Sequence, residues 1–227
     1  MILNVNGIWY IFYATSYAIL ITWTNRSFDS LIANRMKDFP SYAISPMNGL
    51  LDAFCHFLFA SSLWTVSNFL AYQPSIPNYL SFLKTNIPLA ILSGILSILV
   101  DVDHFIAAGS FSLEAATSLS ERPFLHNSIL PLVLVTLLIY LHVNGIDRLL
   151  VFNLIGMSTA ALVTQHIRDA ARRGLMFRFF SYQYHSPPLL FIHQTVITTL
   201  FTLLMGHLLF FNSPAHELKE FDKLNIP

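Results

Sequence analysis

Two carboxylates and an imidazole, at Asp101, Asp103 and His104, directly follow the apolar run 86–100. Carboxylate oxygens and imidazole nitrogens, without any thiolate, are donors that suit Zn, Mn or Fe. Ionisable groups are costly in a membrane, where a central Asp costs roughly 2.5–3.5 kcal/mol on insertion scales. Because the surrounding chain is strongly apolar, a bound divalent metal is the best compensation for this cluster.

Three further stretches of the chain could supply ligands to the same metal. Their polar residues, like those of the first cluster, are three or four apart, so each pair would lie on one face of a helix. Helical bundles build metal sites from pairs of this kind that project inward. The pairs are Asp52 with His56, Asp101 with His104, Arg122 with His126, and His166 with Asp169.

Asp103 has two alternative roles. A regular helix would point it away from Asp101, because residues two apart lie on different faces. It would bind the metal directly if the helix ended there. Otherwise its carboxylate would hold His104 in place from behind.

The composition places the cluster in an integral membrane protein. The 227 residues are 55% hydrophobic and 11% charged, with a mean hydropathy of +0.59, whereas soluble domains carry about 25% charged residues. The net charge is zero, so no nucleic acid is expected as a partner. The single cysteine, Cys55, excludes an intrachain disulfide and a Cys-rich zinc motif. The one partner that the sequence indicates is the lipid bilayer, and it does not identify any protein partner.

The expected fold class is all-α: one membrane-embedded helix bundle over residues 1–227, with the polar site at one end. A spanning helix needs about 20 mainly apolar residues. Continuous apolar runs favour helices over barrel strands, which alternate. The start lacks the basic region of a signal peptide, so we interpret the first run as a retained span. About six spans are predicted, near 8–24, 47–72, 86–108, 123–143, 148–171 and 189–211.

The polar pairs fall at the ends of odd spans and the starts of even spans, so all are expected at one membrane face. An excess of Lys and Arg in the links on that face indicates the cytoplasmic side. We interpret Arg168, Arg172 and Arg173 as topology signals and headgroup contacts. The segment 172–188 is basic and aromatic, which is typical of a membrane interface.

A metal with an open coordination position would supply hydroxide near neutral pH, and so hydrolyse an ester, phosphoester or amide. Asp103 or Asp169 would act as general base or as an orienting group. Arg122 or Arg173 would hold an anionic group such as phosphate. The candidate metal ligands are His56, Asp101, His104, His126 and His166, with Asp52 and Asp103 in addition.

Two alternatives to a metal-dependent hydrolase stay open. The protein could be a non-enzymatic scaffold or partner subunit that retains a degenerate polar site. Intramembrane acid and histidine chains also serve transporters and proton paths, but here the polar residues gather on one side. His142, His193 and His207 are most simply hydrogen-bonded within the bundle.

Three blocks carry a resemblance to a known family: DVDHF at 101–105, RPFLH at 122–126 and HIRD at 166–169. They resemble the transmembrane protein 267 family, over about residues 29–175. The resemblance implies a multi-pass membrane protein, in a family without an assigned reaction.

The pattern is also distantly similar to a bacterial family of membrane-bound, metal-dependent hydrolases. That similarity implies ligand roles for His56, Asp101, Asp103, His104, His126, His166 and Asp169. The chain departs from the bacterial pattern in several places: Glu121 replaces a His of that pattern, Leu125 replaces a Thr, and Asn127 replaces a Ser. A metal site without turnover is therefore a second reading of the same residues.

Overall fold

In a computed structural model, the chain is described at residues 5–35, 41–72, 79–146 and 149–211, and most of these residues are helical. Each of the six predicted segments overlaps one of the six long helices, although the bounds differ. The helices are α1 (Val5–Arg35), α2 (Ser41–Tyr72), α3 (Tyr79–Val100), α4 (Val102–Ala108), α5 (Leu113–Thr117), α6 (Ile129–Val143), α7 (Leu149–Arg173) and α8 (Phe191–Phe211). A hairpin of β1 (Met176–Phe179) and β2 (Tyr182–His185) lies between α7 and α8.

The protein is an all-α integral membrane protein. Within the described residues, three regions are long and apolar enough to cross a membrane by length and composition: Asn48–Tyr72, Tyr79–Ala108 and Phe191–Leu209. The predicted number of about six such spans is therefore too high by this measure. The α6 helix has only 15 residues. In α1, aromatic and hydroxyl side chains interrupt the aliphatic run, and α7 is rich in polar side chains.

The core lies where α2, α6, α7 and α8 meet. Trp64, Leu138, Met157 and Met205 are completely or almost completely buried there. The polar side chains of α7 also face inward, and Gln165 is fully buried. Large apolar side chains cover the outside of the bundle instead, as expected where helices contact lipid.

The connection between α3 and α6 departs from the predicted span 123–143. A 3-10 turn, Phe124–His126, comes first, and α6 begins only at Ile129. The Asn127 side chain explains the delay, because its Oδ1 accepts from the Ile129 and Arg178 N–H groups, both at 3.2 Å. Its Nδ2 donates to the Arg178 carbonyl at 2.9 Å. The turn is therefore tied to β1 rather than continuing a helix.

The hairpin falls in the segment predicted to be interfacial. Its exposed aromatic residues include Phe180, at the turn, with a φ of 48° and a completely exposed side chain. Gly174 ends α7 with a φ of 76°. A Cβ at this position would lie 1.8 Å from the Ser186 carbonyl oxygen, so the close approach of the chain requires glycine.

Candidate metal centre

The Asp-Val-Asp-His motif lies at a break between two helices. The α3 helix ends at Val100, Asp101 adopts a turn, and α4 begins at Val102. This break turns Asp101 and Asp103 toward the same histidine, which a continuous helix would not do. Both alternatives for Asp103 stay predictions: α3 ends before Asp103, but the group that could hold a metal consists of Asp101, His104 and His126.

His126 lies at the middle of the cluster and is buried. Its Nε2 is 3.2 Å from Oδ1 of Asp101 and 3.4 Å from Oδ2 of Asp169. Its Nδ1 is 3.4 Å from Oδ1 of Asp103. Acidic groups from the α3–α4 connection and from α7 thus meet on one imidazole.

Asp101, His104 and His126 form a group that could hold a metal ion. One ligand atom from each lies within 4.8 Å of the others. The two imidazole rings are nearly perpendicular, with centroids 4.5 Å apart. The carboxylate is aimed by Gln165, whose Nε2 donates to Oδ1 of Asp101 at 2.7 Å.

The ring nitrogens at this centre have unused hydrogen-bonding capacity. Nδ1 of His104 and both ring nitrogens of His126 are buried without a hydrogen-bond partner among the described residues. Carboxylate oxygens of Asp101 and Asp103 lie 3.2–3.4 Å from these nitrogens, so they act on them as ion-pair partners. Buried polar atoms are normally satisfied, so a nitrogen- and oxygen-binding cation fits the residues present.

Asp103 is buried beside this group and is fixed by the backbone. Its Oδ2 accepts from the Leu125 N–H at 2.7 Å, and its Oδ1 is 3.2 Å from Nδ1 of His104. It therefore touches both histidines of the centre from the side of the 3-10 turn.

His166 and His56 lie near the group but outside it. Nδ1 of His166 is 2.7 Å from the Leu162 carbonyl oxygen, and its ring is 6.3 Å from that of His126. His56 is fully buried, and neither of its ring nitrogens has a hydrogen bond to a described residue. Its Nε2 is 3.8 Å from Oδ2 of Asp52.

Asp52 belongs to a network of arginines. Its Oδ1 accepts from Arg168 NH2 at 2.6 Å, and its Oδ2 accepts from Arg172 NH2 at 3.3 Å. Arg168 also donates to Asp29 at 2.8 Å. The side chain of Arg168 is only 1% exposed, so its interpretation as a headgroup contact is wrong: it joins α1, α2 and α7 inside the bundle.

Asp169 and Arg122 complete the predicted set. Asp169 accepts from Arg172 NH2 at 3.0 Å through Oδ1 and faces His126 through Oδ2. Arg122 donates one N–H to the Gly174 carbonyl at 2.8 Å. The four polar stretches thus meet at one end of the bundle.

A cavity of about 820 Å³ lies beside the centre. Its polar wall includes Asp101, His104, His126, Asp169 and Arg122, with Asp52 and Arg172 in addition. Its apolar wall includes Leu50, Val102, Phe105, Phe111 and Leu113. Asp103, His56 and His166 do not line the cavity.

His126 is outside the membrane-spanning regions, and its charge state follows from its neighbours. Burial alone would lower the pKa of His126. The Asp101 and Asp103 carboxylates, helped by the charge of Asp169, outweigh burial and raise the pKa to about 9. The metal-free ring is therefore protonated at neutral pH, and a metal must displace that proton.

The sequence reasoning missed two residues of the site, Gln165 and Asn127. Gln165 was detectable, because a polar side chain within a predicted span marks an interior or functional position. Asn127 was not, because its role depends on contact with Arg178, which is distant in sequence.

Proteins named transmembrane protein 267 are similar to part of the chain. The Bos taurus protein is 38% identical over 117 residues, which are 51% of this chain and 53% of that protein. The Mus musculus protein is 35% identical over 107 residues, which are 47% of this chain and 48% of that protein. The Xenopus laevis protein is 36% identical over 85 residues, which are 37% of this chain and 39% of that protein. The chain spans about half the length of the first two of these relatives, and less of the third.

No protein-family model matches the chain, and no solved structure matches it significantly. The similarity to bacterial hydrolases stays a prediction. The named relatives, at 35–38% identity, support the resemblance to the transmembrane protein 267 family.

Proposed function

We propose that the protein binds a divalent metal at Asp101, His104 and His126 and hydrolyses a lipid or headgroup-type substrate at the membrane face. One observation carries the proposal: ligand atoms from two separate segments of chain converge within 4.8 Å. The buried ring nitrogens without hydrogen bonds support it further. The donor set of imidazole and carboxylate suits Zn, Mn or Fe.

Neighbouring residues supply the supporting contacts that a metal site needs. Gln165 would orient Asp101, and Asp103 would orient His104 and His126. His166 would offer its Nε2, because its Nδ1 is engaged by a backbone carbonyl in the way common for metal-binding histidines. His56 and Asp52 would have to leave their present positions to join them.

A bound metal with an open position makes a water molecule acidic enough to act as a nucleophile near neutral pH. Asp169 lines the cavity, so its carboxylate would accept the proton of that water as general base. Arg122 lines the same cavity and would hold an anionic group of the substrate.

Metal analysis of the purified protein tests the proposal. We expect a stoichiometric divalent metal in protein purified in mild detergent, and its loss in His104→Ala. The control is His193→Ala, because His193 is an exposed histidine of α8. Metal-free wild-type protein with its full helix content, after incubation with Zn, Mn or Fe, would contradict the proposal.

The arginine network favours a second candidate, a non-enzymatic scaffold or partner subunit. Arg168 and Arg172 neutralise Asp52 and Asp169 without any metal, which is what a structural tie between helices requires. This function predicts that His104→Ala and His126→Ala mainly lower stability or assembly. If both variants fold and assemble normally but lose hydrolysis of a lipid substrate, the scaffold function is excluded.

A further inference from the structure

Three arginines line the cavity beside the candidate metal centre: Arg122, Arg172 and Arg173. Arg172 is already paired with Asp52 and Asp169. Arg122 contacts a neutral carbonyl, and Arg173 has no hydrogen bond or ion pair among the described residues. Two of the three guanidinium charges are therefore available to an anion.

These arginines lie close enough to repel one another. Burial lowers the pKa of Arg122, Asp169 opposes that effect, and the charges of Arg173 and Arg172 lower the pKa further. A dianion placed among the arginines would relieve this repulsion. Guanidinium groups also match phosphate oxygens with two parallel hydrogen bonds.

The apolar wall of the cavity includes exposed side chains of membrane-spanning regions. Leu50 and Val102 belong to membrane-spanning regions, are 71% and 41% exposed, and line the cavity. Apolar side chains exposed on such segments face hydrocarbon. Phe111 lines the same wall and is 98% exposed. An acyl chain that leaves the cavity past these residues would enter the bilayer rather than water.

We propose that the cavity binds a lipid whose headgroup ends in a phosphate monoester. Arg122 and Arg173 hold the phosphate beside Asp101, His104 and His126, and the acyl chains leave past Leu50. The cavity of about 820 Å³ suits a headgroup and the first part of the chains. This inference rests on the proposed function, because it names the substrate class of the same centre.

The reaction at that centre is hydrolysis of the bond between phosphorus and the alcohol oxygen. The oxygen of water bonds to phosphorus, and the leaving alcohol takes a proton. The products are inorganic phosphate and a lipid alcohol, and no other reactant is consumed.

Binding of short lipids to the metal-free full chain in neutral detergent tests the inference without turnover. The probes are dihexanoyl phosphatidic acid, dihexanoyl phosphatidylcholine and inorganic phosphate, followed by titration calorimetry. We expect the phosphatidic acid to bind about tenfold more tightly than either of the others, because only it offers both a dianion and acyl chains.

Two variants separate the phosphate contact from the acyl contact. Arg173→Gln should weaken phosphatidic acid and inorganic phosphate alike, by about tenfold. Leu50→Gln should weaken phosphatidic acid alone. Lys84→Gln is the matched control, because Lys84 is exposed near the start of α3 and does not line the cavity.

Equal binding of the two lipids, or no effect of Arg173→Gln, would overturn the proposal that the headgroup ends in a phosphate monoester. If phosphatidic acid binds no better than inorganic phosphate, the ligand is free phosphate, and the proposal of a lipid ligand is overturned. Metal content is measured separately, on wild-type protein before the metal is removed. Normal metal content in that protein with failed lipid binding rejects this inference alone. Lipid binding by a protein that takes up no metal when Zn, Mn or Fe is supplied rejects the hydrolase alone.

Discussion

Oδ1 of Asp101 lies 3.2 Å from Nε2 of His126 and joins the break after α3 to the 3-10 turn before α6. Gln165 donates to the same oxygen at 2.7 Å. The carboxylate is therefore aimed at the imidazole by α7 before any cation binds. A ligand that is held in place in this way loses little entropy on binding.

Asp101→Asn should lower metal affinity while keeping the fold. The amide oxygen of Asn still accepts from Gln165, but the negative charge that attracts the cation is lost. We expect affinity for Zn to fall by more than about tenfold, measured by competition with a chelator. Glu114→Gln removes an exposed acid from α5 and should leave affinity unchanged. Equal affinity of Asp101→Asn and wild type would remove Asp101 from the centre.

The metal-free protein should lose stability as the pH rises from about 6.5 to about 9. The pKa of His126 is about 9 in the folded chain, against an ordinary value of 6.5. The raised pKa means that the protonated ring stabilises the fold fully below pH 6.5, and that this contribution is lost as the pH rises through 9. Thermal melting in detergent across this range, with His126→Gln as the control, should show a flatter profile for the variant.

Metal affinity should change with pH in the opposite direction. A ligating nitrogen must be unprotonated, so the proton on His126 competes with the metal less as the pH rises toward 9. We expect the affinity for Zn to be higher at pH 8 than at pH 6.5. An affinity that is independent of pH would show that His126 is not a ligand.

Arg168→Gln should destabilise the bundle by about 2–3 kcal/mol. The substitution leaves Asp29 and Asp52 without their shared cation, and a broken buried ion pair costs roughly 3–5 kcal/mol, which we reduce because both acids are partly exposed. Arg173, in the same helix, has no hydrogen-bond or ion-pair partner among the described residues, so Arg173→Gln should stay within about 0.5 kcal/mol of wild type. Unfolding in mixed detergent micelles measures both, and equal stabilities would reject the network as a structural tie.

Gly174→Ala should destabilise the protein more than Gly145→Ala. Both glycines have positive φ, so alanine costs roughly 1–2 kcal/mol of backbone strain at either position. Gly174 has an obstacle in addition, since the new Cβ would lie 1.8 Å from the Ser186 carbonyl oxygen. At Gly145, no atom of the described residues beyond its chain neighbours lies within 4 Å of the new Cβ. Similar melting temperatures for the two variants would contradict the close approach of the chain after α7.

Periodicity along the chain was enough to predict a helical bundle and the meeting of its polar stretches at one end. Asp101 and His104 are three apart, so they share a face of any helix that contains both. His126 could be assigned to the same end because it opens a predicted span. These conclusions depend only on spacing and on span order.

Contacts between distant segments could not be predicted in the same way. Arg168 resembles a topology signal until Asp29 and Asp52, on two other helices, are placed beside it. The late start of α6 depends on Asn127 reaching Arg178. In each case a side chain forms a tertiary hydrogen bond that local propensity does not contain.

The shortness of α6 bears on the membrane around the site. Its 15 residues extend only about 22 Å, whereas the hydrocarbon layer is about 30 Å thick. A bilayer relieves such a hydrophobic mismatch by becoming thinner around the short helix. Where α6 crosses the bilayer, this mismatch would draw the headgroups beside His126 inward, toward the arginines. Higher stability in bilayers of shorter acyl chains than in bilayers of longer ones would reveal this thinning.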